Sequence, residues 1–130
     1  MSLATRIVDQ VYWRVPQDVR RLTFRLLRRR SYRSLQRLRS EVTEDGYTLR
    51  SFDDRRCIFV HIPKCAGFSV ARSLFGNLAG GHLTVRKYQM IYRRREFSEY
   101  FKFTFVRNPW DRVVSAFFFL KEGGVNEVDK

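Results

Sequence analysis

The six residues from Cys57 to Ile62 are apolar except for His61, and Pro63 follows them. A run of this kind suits a strand of a parallel sheet, buried on both faces. Proline has no N–H to give to a ladder, so Pro63 ends the strand. Lys64-Cys65-Ala66-Gly67-Phe68-Ser69 then reads as a tight loop, with Gly67 supplying the backbone freedom to fold it back. Val70, Ala71, Leu74 and Phe75 recur beyond it at helical spacing. Strand, loop and helix in this order aim the unpartnered N–H groups of a helix start, and the positive end of its dipole, at one point. Anions bind at such points. Lys64 adds a full charge there and Ser69 a hydroxyl. An ordinary β-α connection with a surface lysine explains the local pattern equally well. The chain has no Gly-x-x-x-x-Gly-Lys-Ser/Thr spacing, which argues against a P-loop kinase or triphosphatase.

A second unit of the same kind begins at Tyr100. Tyr100 to Val106 is aromatic and β-branched, with alternating phenylalanines, and predicts a strand. Arg107 stands at its end. Asn108-Pro109 opens a helix, as a side-chain cap followed by proline at the first helical position. Asp111 falls in the first turn, where a negative charge is favourable. Val113, Val114, Ala116, Phe117 and Leu120 predict a buried stripe, and Gly123-Gly124 a stop. Arg112 and Ser115 share a helix face. Arg107 and Ser115 are placed to converge on one phosphate, the guanidinium offering a fork of donors. Taken singly, Arg107 reads more readily as a surface charge and Ser115 as a small packing residue. Ligands of open parallel sheets collect at the carboxyl ends of strands. Lys64 and Arg107 both fall at such ends, which suits a ligand with two phosphate-like groups.

These residues carry a resemblance. His61-Ile62-Pro63-Lys64-Cys65-Ala66-Gly67-Phe68-Ser69 resembles the 5′-phosphosulfate loop of sulfotransferases, closest to the carbohydrate (family-2-like) branch with its His-Ile-Pro-Lys-Thr-Gly/Ala-Gly-Thr-Ser pattern. Phe105 to Phe117 resembles the family's 3′-phosphate motif, Arg-x-Pro-x-x-Arg-x-x-Ser. Between them, Gly81-His82-Leu83-Thr84 is similar to a Gly-His segment that supplies the catalytic base in some members. The resemblance runs from about Tyr47 to Gly124. It implies an α/β fold, a P-loop-like parallel sheet flanked by helices. It also implies 3′-phosphoadenosine 5′-phosphosulfate (PAPS) as co-substrate, transfer of its sulfuryl group to a carbohydrate-type or other hydroxyl acceptor, and no metal. By position, Lys64 would contact the phosphosulfate bridge, and Cys65, Ala66, Gly67, Phe68 and Ser69 would cradle the 5′-phosphate. Arg107 and Ser115 would hold the 3′-phosphate, and His82 would take the acceptor proton. Histidine changes charge near neutrality, which suits that task. Two positions depart from the pattern: Cys65 and Phe68 stand where the family more often has threonine. His61, on a strand expected to be buried, reads as structural rather than as the base. Family members continue well past the second motif, so the resemblance implies a partial fold, truncated at the C-terminus.

Charge divides the chain in two. Residues 1–40 hold eleven arginines, no lysine and two aspartates, a net of +9 out of the +13 for all 130 residues. Leu3, Ile7, Val8, Val11 and Tyr12 form one helical stripe; Pro16 opens a second helix with Val15, Val19, Leu22 and Leu26 in line. Glu41 to Asp54 is turn-rich, with Asp45-Gly46 and Asp53-Asp54 as turns and Tyr47-Thr48-Leu49 as a short strand. The boundaries expected are a basic amphipathic helical arm and linker over 1–46 and an α/β domain over 47–130. The arm either packs its apolar stripe on the domain or lies on an anionic membrane surface. A catalytically inactive fragment acting as such a basic anion- or membrane-binding module is therefore the alternative to an enzyme. The aromatic residues form no RNA-stacking motif, which disfavours nucleic acid. No signal peptide or apolar run near twenty residues is present, which predicts a cytoplasmic protein, at most peripheral to a membrane. Cys57 and Cys65 suggest neither a disulfide framework nor a zinc site.

Overall fold

Among the described residues, two strands of three residues each form a sheet, and helices make up most of the remainder. The structure is a computed structural model and describes residues 11–44 and 46–124. The expected stripe through Leu3, Ile7 and Val8, and the turn residue Asp45, lie outside those residues. Helices α1 (Gln17–Leu27) and α2 (Arg29–Ser40) come first, followed by α3 (Arg50–Arg55) and β1 (Cys57–Phe59). Then come α4 (Gly67–Phe75), α5 (Val85–Ile91), α6 (Arg94–Glu99), β2 (Phe101–Phe103) and α7 (Pro109–Lys121). β1 and β2 are parallel, with Cys57 opposite Phe101, Ile58 opposite Lys102 and Phe59 opposite Phe103. Parallel neighbours need a long crossover, here made by α4 to α6.

Both strands are shorter than their apolar runs. The Val60 N–H still bonds the Phe103 carbonyl at 2.9 Å, but the Cys65 N–H then closes a turn onto Ile62 at 3.3 Å, and the chain leaves the sheet. Past Phe103, Thr104 Oγ1 donates to the Val60 carbonyl at 2.6 Å in place of a ladder bond. β1 is buried at Ile58 and Phe59, as a central strand requires, whereas Phe101 in β2 is 70% exposed.

The core gathers between the sheet and the crossover. Leu49, Phe52, Ile58, Phe59, Ala71, Phe75, Tyr88, Ile91 and Tyr92 form it. Phe52 meets Phe75 edge-on at 4.9 Å, and the Tyr88 hydroxyl donates to the Phe59 carbonyl at 3.2 Å. That bond satisfies the one polar atom of a fully buried ring.

Three expectations are corrected. Residues 47–49 form no strand. The Thr48 N–H bonds the Ala79 carbonyl and the Leu49 N–H the Leu38 carbonyl, so their backbone groups are taken by a loop and a helix end. Asp53-Asp54 is no turn but part of α3, entered where the Arg50 N–H bonds Thr48 Oγ1 at 3.1 Å. The stripe Val113, Val114, Phe117 and Leu120 is 49–62% exposed, because no described element packs over that side of α7. Ala116 and Ser115, on the other side, are half-buried. The expected stop holds: the Gly123 and Gly124 N–H groups return to Leu120 and Phe119 with positive φ of 97° and 62°.

The arginine-rich helices are joined to the rest of the chain by Leu35 and Leu38 of α2, which pack against the core, and by polar contacts. Arg39 makes paired bonds to Asp53 at 2.7 Å and to Glu96 at 3.0–3.1 Å, with its guanidinium 4.5 Å over the Tyr92 ring. Burial works against its charge, but the hydrogen bonds of Asp53 and Glu96 outweigh that and raise its pKa. Gln17 donates to the Gln89 and Tyr92 carbonyls and Gln36 to Ile91, satisfying carbonyls at the end of α5.

Candidate functional site

The loop after β1 is built around a close approach. An atom added at the Cα of Gly67 would meet His61 Cδ2 at 1.8 Å, so the imidazole lies directly on the glycine backbone. The backbone freedom that the sequence assigns to Gly67 is used elsewhere: the left-handed angles fall on Lys64 (φ 65°) and Ala66 (φ 57°). Each costs on the order of 1–3 kcal/mol, the kind of strain that persists where surrounding structure enforces it. Ala66 is the cap residue of α4, and no side chain caps that helix or places a carboxylate in its first turn. The start of α4 therefore presents unpartnered N–H groups and the positive end of the dipole.

The second strand end is brought to the same place. Asn108 accepts from the Trp110 N–H at 3.0 Å, and Pro109 starts α7, as its sequence predicts. Arg112 Nε donates to the Pro63 carbonyl at 3.0 Å. This bond ties α7 to the loop after β1.

Between them lies a cavity of about 800 Å³. Lys64, Ala66, Gly67, Phe68, Ser69, His82, Arg107 and Ser115 all line it, together with His61, Tyr47 and Phe119. Both strand ends thus open onto one cavity. Among the anticipated site residues, Cys65 is the exception. It is 5% exposed and does not line the cavity, and its N–H is spent on Ile62. Thiol and hydroxyl chemistry at that position therefore does not bear on the cavity.

The walls are aromatic. His61 lies 4.3 Å from His82 and 5.1 Å from Phe68, ring centre to ring centre, and stacks on Phe59 at 5.9 Å. Burial, and then the charge of His82, push the His61 pKa below the ordinary histidine value. Its Nδ1 is buried with no hydrogen-bond partner among the described residues. Lys64 Nζ rests 4.0 Å over the Phe119 ring. The contributions of Tyr47, Phe119 and His61 are not legible in the sequence. Nothing local marks Tyr47 or Phe119, and the apolar run around His61 hides that it lines the cavity.

The sulfotransferase family model matches residues 47–123. That is more than half of the chain, and the chain belongs to the sulfotransferase family. No curated protein and no solved structure matches it.

Proposed function

We propose that the cavity binds PAPS and that the chain transfers its sulfuryl group to a hydroxyl of a carbohydrate-type acceptor. The observation that supports this most is the meeting of Lys64 and Arg107, from two separate strand ends, on one cavity of about 800 Å³. A volume of that order suits a nucleotide-sized ligand. The residues present fit a doubly anionic nucleotide: an uncapped helix start, two cations and the hydroxyls of Ser69 and Ser115, with no carboxylate among the lining residues.

In this reading the N–H groups of Gly67, Phe68 and Ser69 receive the 5′-phosphate. They act as the P-loop of this sheet, with no threonine hydroxyls to help. Lys64 leaves the Phe119 face and neutralises charge on the phosphate as the sulfur–oxygen bond to it breaks. Arg107 and Ser115 hold the 3′-phosphate, which distinguishes this nucleotide from ATP. The acceptor oxygen forms the new bond to sulfur and gives its proton to His82. His61 packs against His82 and the Gly67 backbone, fixing the ring beside the loop. Most of the rate comes from positioning and charge stabilisation, as in phosphoryl transfer. The acceptor must reach sulfur from the His82 side, where Tyr47 and Phe68 offer flat apolar walls on which a sugar ring can lie.

Transfer of labelled sulfate from PAPS to a panel of sugars tests the reading. His82→Ala is expected to lower turnover by about 10²–10⁴-fold, as loss of a general base does. Binding of 3′-phosphoadenosine 5′-phosphate is expected to stay unchanged. Full turnover by that variant removes His82 from the role.

A further inference from the structure

Helix α1 turns its apolar stripe outward. Val19, Leu22 and Leu26 are 47, 45 and 52% exposed, and Leu27 beyond them is 82% exposed. The side of α1 that docks is polar. Arg20 is 6% exposed, and its Nη1 meets Gln89 Oε1 at 3.1 Å, while Gln17 takes the carbonyls of Gln89 and Tyr92. The inversion has a local cause. The end of α5 offers carbonyls without helical partners, and the polar side of α1 satisfies them. Of the two expectations for the arm, packing on the domain is met by Leu35 and Leu38 of α2 but not by Val19, Leu22 and Leu26 of α1.

Charge surrounds the outward stripe. Arg25 of α1 and Arg29, Tyr32 and Arg33 of α2 line a notch of about 310 Å³ together with Leu26. Arg28 and Arg30 beside it are exposed, and no described carboxylate pairs with any of these arginines. Asp18 is the only acidic residue between positions 11 and 40, and it shares a recess with Arg93, Arg94 and Arg95.

We propose that the Val19–Leu22–Leu26 stripe, with Arg25, Arg29 and Arg33 at its end, docks this protein on an anionic membrane surface. A polyanionic sugar or nucleic acid would engage the arginines and leave the leucines in water. A bilayer surface supplies both partners, lipid phosphates for the guanidinium groups and acyl chains for the stripe. The mode is in-plane. At 11 residues α1 is about 16 Å long, about half of a hydrocarbon core, and no described helix is long and apolar enough to cross.

Flotation of the full chain with large unilamellar vesicles tests this, comparing phosphatidylcholine alone with a mixture holding about 30 mol % phosphatidylserine. The expected result is binding to the mixed vesicles only, weakening as salt rises. The triple variant Arg25→Ala, Arg29→Ala, Arg33→Ala is expected to lose affinity on the order of a hundredfold. Leu22→Asn with Leu26→Asn is expected to lose about tenfold or more. All five side chains are exposed, so circular dichroism and melting temperature should not move. No binding of the folded protein to the mixed vesicles overturns the proposal. Undiminished binding by the leucine variant overturns it as well, and marks the arginines as a site for a soluble polyanion. Neither outcome depends on the nucleotide cavity.

Discussion

Burial and the neighbouring His82 both work against a proton on His61, so its folded-state pKa lies below the ordinary histidine value. The unfolded chain then takes up the proton first as pH falls. Stability is unaffected above the unfolded value, about 6.5, and declines as pH drops below it toward the folded value. Melting temperature is therefore expected to be level above about pH 7 and to fall from about pH 6.5 downward. In His61→Asn, which cannot titrate, that limb of the profile should flatten. An identical slope in the variant, measured by thermal melts across pH, would assign the decline to other groups. Glu96 acts in a separate window. Burial raises its pKa, but the hydrogen bonds of Arg39 and the Arg93 backbone outweigh that and leave it lowered. Its contribution is present above the ordinary carboxylate range and is lost only as pH falls through that lower value.

Arg39 shows how α2 is held at the scale of elements. It bridges Asp53 of α3 and Glu96 of α6, and the Tyr100 hydroxyl donates to the same Asp53 at 2.8 Å. Burial, then that bond to Asp53, push the Tyr100 pKa up to about 12. Arg39→Ala leaves two partly buried carboxylates without their cation, so a loss of about 2–3 kcal/mol is expected by chemical denaturation. A loss under about 0.5 kcal/mol would mean the pairs are screened like surface ones. The same scale explains what the sequence can and cannot tell. The turn that ends at Ala66 and the cap at Asn108-Pro109 are local, so their residues announce them, although the helix begins at Gly67, inside the loop expected over Lys64–Ser69. The outward face of α1 depends on the carbonyls of α5, more than sixty positions away, and no period in residues 15–26 encodes that. Cys65 departs from expectation for a related reason. Its loop membership is legible, but its burial outside the cavity lining is a tertiary outcome that no local pattern encodes. Asp53-Asp54 has the composition of a turn, yet Thr48 supplies the bond that opens a helix there.

At the scale of the whole molecule, the cavity and an exposed apolar surface lie on two sides of one helix. Ser115 and Phe119 of α7 face the cavity. Trp110, Val113, Val114 and Phe117 face solvent at 54–79% exposure. An exposed apolar stripe of this kind favours self-association. Val113→Glu with Phe117→Lys, an i,i+4 pair that also supports a helix, should raise the monomer fraction in sedimentation velocity without changing nucleotide affinity. An unchanged distribution would show that the stripe does not drive association. The central claim concerns the cavity side: Lys64 and Arg107 hold opposite ends of one nucleotide. Calorimetric titration of 3′-phosphoadenosine 5′-phosphate and of adenosine 5′-phosphate, into the native chain and the Lys64→Ala and Arg107→Ala variants, measures it most directly. Arg107→Ala should weaken the doubly phosphorylated nucleotide by about ten- to a hundredfold, down to the level of the single phosphate, and leave the latter unchanged. Lys64→Ala should weaken both alike. If Arg107→Ala affects both nucleotides equally, or neither, the two strand ends do not share a ligand.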